Sequence, residues 1–315
     1  MKSIYNIYES ILDDIDVQMR EGDIYAQILT IDNWIKTYFT GKYIISKQPN
    51  SDGLFEVSSK GSIGIKRKGA NELTTLTNGM FIWTDIKFDF MCNGMAKLET
   101  LVGGPKTVKR TYEVTMAPNL KNLEGAPTQS ETFNCAGCGL ETLKGGEVLK
   151  NCDYVIFRNC KNLVSLEGCP DGETLYCEHC TSLKSLDGLK NTNFKTIYSG
   201  DCTDLTSING VPNTCKKLWV NDCVNLKALD GLSNNCKEVA CNNCTSLTSV
   251  KGAGNVKEIY LGGCTNLTSL DGLPKTLDRL TLTGSGVTPQ EFEISNIQVN
   301  YLPETVFNIN KFNNK

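Results

Sequence analysis

CTNLTSLDGLP, residues 264–274, decides the reading of this chain, because the same phrase stands upstream as CTSLKSLDGL from Cys180 and CVNLKALDGL from Cys223. A cysteine inside a repeat has to be read by its place in the repeat before it is read as a ligand, nucleophile or disulfide partner. The leucine that follows the recurring cysteine position falls at Leu98, Leu120, Leu140, Leu163, Leu183, Leu205, Leu226, Leu247 and Leu267, at intervals of 20 to 23 residues. In one common frame, the consensus unit carries apolar residues at positions 1, 4 and 6, cysteine at 9 and leucine at 12 and 15. Glycine follows at 17, an apolar residue at 18 and, in several units, proline at 19.

Positions 4 and 6 alternate as a short strand, and successive units stack such strands about 4.8 Å apart in a parallel sheet. Each coil is stable only against its neighbours. Gly125, Gly168, Gly188, Gly210, Gly231, Gly252 and Gly272 share position 17, where the turn back toward the sheet asks for a positive φ.

All fifteen cysteines fall on apolar positions of the frame. Cys138, Cys160, Cys180, Cys202, Cys223, Cys244 and Cys264 take position 9, and Cys92, Cys135, Cys177 and Cys241 take position 6. Cys152, Cys215 and Cys236 take position 1, and Cys169 takes position 18. The expected state is a free, buried thiol acting as a small apolar side chain. C-x-x-C at Cys135/Cys138, Cys177/Cys180 and Cys241/Cys244 has the spacing of a zinc site. Positions 6 and 9 are three apart in every coil, however, so the spacing needs no metal. A cysteine-rich metal-binding protein is the alternative this explanation displaces, and no cofactor is expected.

LKNLEGAP (120–127), FNCAGCGLETLKGG (133–146) and LTSLDGLP (267–274) resemble repeats in leucine-rich-repeat proteins of tailed phages and bacteria, in which cysteine-containing LTSLEGAP-type units recur. SDGLFEVSSKGSIGIKRKG (51–69) is similar to the extended lead-in that precedes the first coil there, and IYESILDDID resembles short leaders on other phage proteins. The resemblance implies architecture and supplies no activity. The fold class expected is a leucine-rich-repeat solenoid, β-rich with a parallel strand stack and a short irregular convex side, carrying a small α-helical N-terminal cap.

The flanks set the domain limits. Ile4, Tyr8, Ile11 and Ile15 recur at helical spacing, as do Ile24, Ile28, Ile31, Ile35 and Tyr38 before Gly41. Residues 1–20 read as an amphipathic leader helix and 24–80 as a helical cap with lead-in strands. Residues 81–288 read as the solenoid of about ten coils, and 289–315 as a C-terminal cap and tail.

The chain has 315 residues, 40% apolar and 21% charged, with a formal net charge of −3. No block of like charge appears, so neither a nucleic acid nor a membrane surface is expected as a partner. The N-terminus turns acidic where an export signal would be apolar. The expected location is therefore cytoplasmic, the host cytoplasm or a virion if the chain is phage-encoded, and the odd number of cysteines in a long chain without an export signal is expected to stay reduced.

Position 5 of each coil points outward onto the concave face. Its column runs Met91, Glu113, Asn134, Ile156, Tyr176, Tyr198, Trp219, Ala240, Tyr260, Thr281. Ile156, Tyr176, Tyr198, Trp219 and Tyr260 make its centre apolar and aromatic. Tyr154 flanks them from position 3, Arg158 and Glu178 from position 7, and His179, Asp201 and Asp222 from position 8. Aromatic anchors with charged flanks are the composition of an interface; the competing explanation is cross-strand reinforcement of the sheet. A protein is the expected partner, and a glycan could also stack on the rings. With no nucleophile elbow, phosphate-binding loop or paired histidine, the expectation is a non-enzymatic interaction module. A structural virion component docking through its flanks is the alternative.

Overall fold

The computed structural model describes residues 21–301; the expected leader helix at 1–20 lies outside them. The chain winds as a leucine-rich-repeat solenoid in which each coil adds one short strand to a 13-stranded sheet. Ten parallel strands follow in chain order from Phe90–Met91 to Thr276–Thr281, each paired with the next coil. The stack continues into Gln298–Tyr301, parallel to Thr276–Thr281 and within the segment read as C-terminal cap. At the other end Ile63–Ile65 pairs with Phe90–Met91, and Phe39–Thr40 closes the edge antiparallel to Ile63–Ile65.

Helix α1 (Glu21–Tyr38) covers that end. It buries Ile28, Ile31 and Ile35, and Trp34 meets Phe81 edge to face at 5.6 Å. The first coils also build a second, four-stranded sheet from Ile44–Ile45, Phe55–Ser59, Phe81–Ile86 and Thr107–Val108. Its alternating sequences, such as the buried Phe81, Trp83 and Ile86 within FIWTDI, are ordinary strand patterns that the repeat frame does not contain. Helices α2 (Arg67–Glu72) and α3 (Pro289–Ser295) are short, and the Thr288 side chain caps α3 by accepting from the Glu291 N–H.

Two backbone columns hold the coil shape. The glycines at position 17 all have positive φ, from 82° at Gly168 to 103° at Gly272. A Cβ at Gly188 would lie 2.4 Å from the Leu166 carbonyl carbon, and one at Gly210 would lie 2.3 Å from the Leu186 oxygen. Both the turn and the close approach of the preceding coil therefore demand glycine. Position 8 is the second left-handed column, with Gly94, Met116, Gly137, Asn159, His179, Asp201, Asp222, Asn243, Gly263 and Gly284 all at positive φ.

All fifteen cysteines are buried and free. Position 9 does more than fill space, because its thiol points at the position-6 carbonyl of the preceding coil. The Sγ donates to Cys135 O from Cys160 (3.3 Å), to Phe157 O from Cys180 (3.2 Å), to Cys177 O from Cys202 (3.2 Å) and to Val220 O from Cys244 (3.1 Å). A purely apolar side chain would forgo this bond at each coil. Among the described residues no group of three or more His, Cys, Asp and Glu side chains is placed to hold a metal ion. No helix among them is long and apolar enough to cross a membrane.

Candidate interaction surface

The register of the parallel stack aligns the position-5 residues as Cα partners: Met91, Glu113, Asn134, Ile156, Tyr176, Tyr198, Trp219, Ala240, Tyr260 and Thr281. Strands of one pleat put these side chains on one face. The rings touch in sequence, with centroids 6.4 Å apart for Tyr154 and Tyr176 and 4.9 Å for Tyr176 and Tyr198. The Tyr176 and Tyr198 rings are parallel to within 4°. Trp219 breaks the stack, meeting Tyr198 at 5.2 Å with an interplanar angle of 76°. Its Nε1 donates to Glu238 Oε1 at 3.0 Å, one coil further on. Ala240, the small residue at position 5 of that coil, leaves room for the indole to turn. Trp219 remains 37% exposed and Tyr154 46%. Tyr260 stands apart from the ladder and donates its hydroxyl to Glu258 Oε2 at 2.8 Å.

Charged groups lock the borders. Arg158 stacks over Tyr176, 4.2 Å from its centroid, and binds Glu178 bidentately, with Nε and Nη2 each 3.0 Å from a carboxylate oxygen. The Glu178 hydrogen bond raises the Arg158 pKa, and partial burial raises that of Tyr176. Lys217 pairs with Glu238 at 2.7 Å, which raises the lysine pKa. Lys217, Glu238, Glu258 and Arg279 sit at position 3, and sequence reading of the column passed over them although the same frame contains them.

The position-8 candidates have a backbone explanation of their own. His179, Asp201 and Asp222 have φ of 59°, 57° and 60°. Their N–H groups stay in the inter-coil ladder, donating to Gly200 O, Asn221 O and Asn242 O at 2.8–2.9 Å. Asn, Asp and His tolerate this conformation better than other side chains, so local geometry already accounts for their types. His179 Nδ1 lies 3.7 Å from Asp201 Oδ2, and Asn243 donates to Asp222 at 2.9 Å. The structure thus brings Tyr154, Ile156, Arg158, Tyr176, Glu178, Tyr198 and Trp219 into one continuous patch. His179, Asp201 and Asp222 form its edge, and Tyr260 lies beyond the Ala240 gap.

Strand stack, leucine frame and left-handed glycine column together define a leucine-rich-repeat solenoid with an exposed aromatic ladder. No family model matches the chain, and no curated protein does. Among solved structures, a leucine-rich repeat protein from Bacteroides ovatus ATCC 8483 is similar at 17% identity, over 78% of this chain and 88% of that one, with a TM-score of 0.30.

Proposed function

We propose that the protein is a non-enzymatic protein-interaction module that receives its partner on the concave face, centred on Tyr198 and Trp219. The observation that carries this reading is the ladder itself. Tyr154, Tyr176, Tyr198 and Trp219 lie on the solvent side of the sheet, while the interior of the same coils is filled by Val155, Leu175, Ile197 and Leu218. Core packing therefore does not require them. Rigid aromatic side chains with few rotamers to immobilise are the side chains that anchor interfaces. The repeat phrases and leader support a phage-encoded or bacterial origin and action in the host cytoplasm or a virion.

Affinity capture from source cells with four baits tests it. A partner retained by the wild type and by Met91→Ala, and lost by Trp219→Ala and Tyr198→Ala, is the expected result. Equal capture by all baits would remove the concave face from the reading.

A further inference from the structure

A second column runs beside the aromatic one, and its charge is invisible in the linear sequence. Lys195, Lys216, Lys237 and Lys257 occupy position 2 of four successive coils, and all four are exposed. The backbone fixes their alignment: Lys216 N donates to Lys195 O, Lys237 N to Lys216 O and Lys257 N to Lys237 O, each at 2.8 Å. Their side chains therefore leave the sheet edge at intervals of about 4.8 Å, an arrangement that like charges disfavour. The acids nearby neutralise only part of it. Glu173 pairs with Lys195, and Asp278 continues the column beside Lys257, while Glu238 and Glu258 pair with Lys217 and Arg279 outside it. Lys237 reaches the Asn255 carbonyl at 3.3 Å. Among the described residues Lys216 and Lys257 have no ion pair.

The opposite edge has the other sign. Asp201 and Asp222 stand at position 8, about 20 Å along the coil from position 2 at strand rise, with the position-5 ladder between them; Glu178 at position 7 is taken up by Arg158. We infer that the lysine column is the basic half of a two-signed docking surface, whose occupant is a protein presenting a row of carboxylates to Lys195, Lys216, Lys237 and Lys257. The inference rests on the concave-face reading above and names the chemistry of its partner. A nucleic acid or sulfated glycan would satisfy the lysines but bring its remaining negative charge toward Asp201 and Asp222. A protein surface carrying both signs satisfies both edges.

Fluorescence anisotropy with the full chain tests this, using a labelled peptide of alternating Glu and Phe, its Lys/Phe counterpart, an oligothymidylate and a heparin oligosaccharide. The Glu/Phe peptide should bind and the Lys/Phe peptide should not. Lys216→Glu combined with Lys257→Glu should weaken binding about tenfold or more, and raising NaCl from about 50 to about 300 mM should weaken it about fivefold. The double variant should melt with the wild type, since both lysines are exposed. Loss of binding in Trp219→Ala with full binding by the lysine variant would overturn the lysine column and leave the concave reading standing. Loss in the lysine variant alone would support the column and overturn the aromatic anchor. Tighter binding of oligothymidylate or heparin than of the peptide would overturn a protein as occupant. Absence of peptide binding to the wild type at about 1 mM, weaker than any useful interface, would overturn the inference altogether.

Discussion

The protein contains two aromatic ladders, one inside the coil stack and one on the outer face of its long sheet. The first is internal. Phe39, Trp83, Phe90, Tyr112, Phe133 and Phe157 follow one another with centroids 5.4 to 6.2 Å apart, and all are buried. The second is external, from Tyr154 to Trp219. The strand Cys152–Ile156 and the residue after it mark the crossing, with Phe157 ending the inner ladder and Tyr154 starting the outer one. Beyond it the interior passes mainly to leucine, isoleucine, valine and cysteine, with Phe194 the buried aromatic exception, and twelve of the fifteen cysteines lie from Cys152 onward. Ring contacts are alike in the two ladders, so contact geometry alone does not say what a ladder is for. Burial accounts for the first and leaves the second to be explained.

The largest way to pull the two halves apart is alkali. Burial pushes Cys152, Cys160, Cys202 and Cys264 up to about 12. An unfolded thiol ionises near its ordinary value of about 8.5. Above that pH the unfolded chain releases protons that the folded chain holds, so stability is complete below it and falls as pH rises toward the folded values. Each such thiol costs about 1.4 kcal/mol per pH unit in that window, and four together cost several kcal/mol by about pH 10. The melting temperature should be flat from neutral pH to about 8 and then drop steeply. Hydrogen exchange at high pH should open the coils after Cys152 before the aromatic-cored coils preceding them. A flat profile to about pH 11, or opening that starts at the N-terminal coils, would contradict the burial assigned to these thiols.

Next in size is a direct test of the inner ladder. Phe133 stacks on Tyr112 at 5.5 Å and meets Phe157 at 6.2 Å with no exposure. Phe133→Ala should cost about 3–5 kcal/mol in a denaturant titration, the range for an aromatic cavity in a core. A loss below about 1.5 kcal/mol would mean that the solenoid collapses around the gap.

Trp219→Ala is its counterpart on the outer face. Unfolding should change by less than about 1 kcal/mol, the scale of a cross-strand aromatic pair. Partner affinity should fall about thirty-fold, the equivalent of about 2 kcal/mol at an anchor residue. The reverse pattern, intact affinity with lowered stability, would make both ladders structural and end the functional contrast between them.

The residues also show where sequence reasoning reaches and where it stops. The external column could be read in full, because a strict period fixes register and the strand period fixes the face: position 5 named from the frame is the position 5 that pairs across coils. Position 17 was legible for the same reason. Position 8 was read as a set of charged candidates, while its real rule, left-handed backbone, was visible in a column of glycine, asparagine, aspartate and histidine interrupted only by Met116. The lysine column was missed because its members stand about 21 residues apart, the repeat period, and a search for charge runs looks along the chain instead of down the stack. The position-9 bond needed coordinates, since a cysteine that donates to the preceding coil and one that merely packs have the same letter and the same place in the frame.

The smallest predicted effect concerns Ser199, directly beside Tyr198 and facing the interior. Position 6 is otherwise apolar through the stack, as Cys92, Val114, Cys135, Phe157, Cys177, Val220, Cys241, Leu261 and Leu282. Ser199 is fully buried, and its Oγ has no hydrogen-bond partner. Its carbonyl already accepts the Cys223 thiol at 3.2 Å, as the position-6 carbonyl does elsewhere, so the hydroxyl contributes nothing the ladder needs. A buried unpaired hydroxyl costs about 1–3 kcal/mol, and the thiol of Cys177 at position 6 of the preceding coil is larger, less polar and accommodated in the same interior. Ser199→Cys should therefore raise stability by about 1 kcal/mol, a gain of about 2 °C in melting temperature for a chain of this size. Binding to the outer face should be unchanged, because the substitution acts beneath the sheet. An unchanged or lower melting temperature would show that the hydroxyl is paired or that the site is too tight for sulfur. A change in affinity would show that the inner packing sets the tilt of the Tyr198 ring, joining the two faces that the comparison of ladders treats as separate.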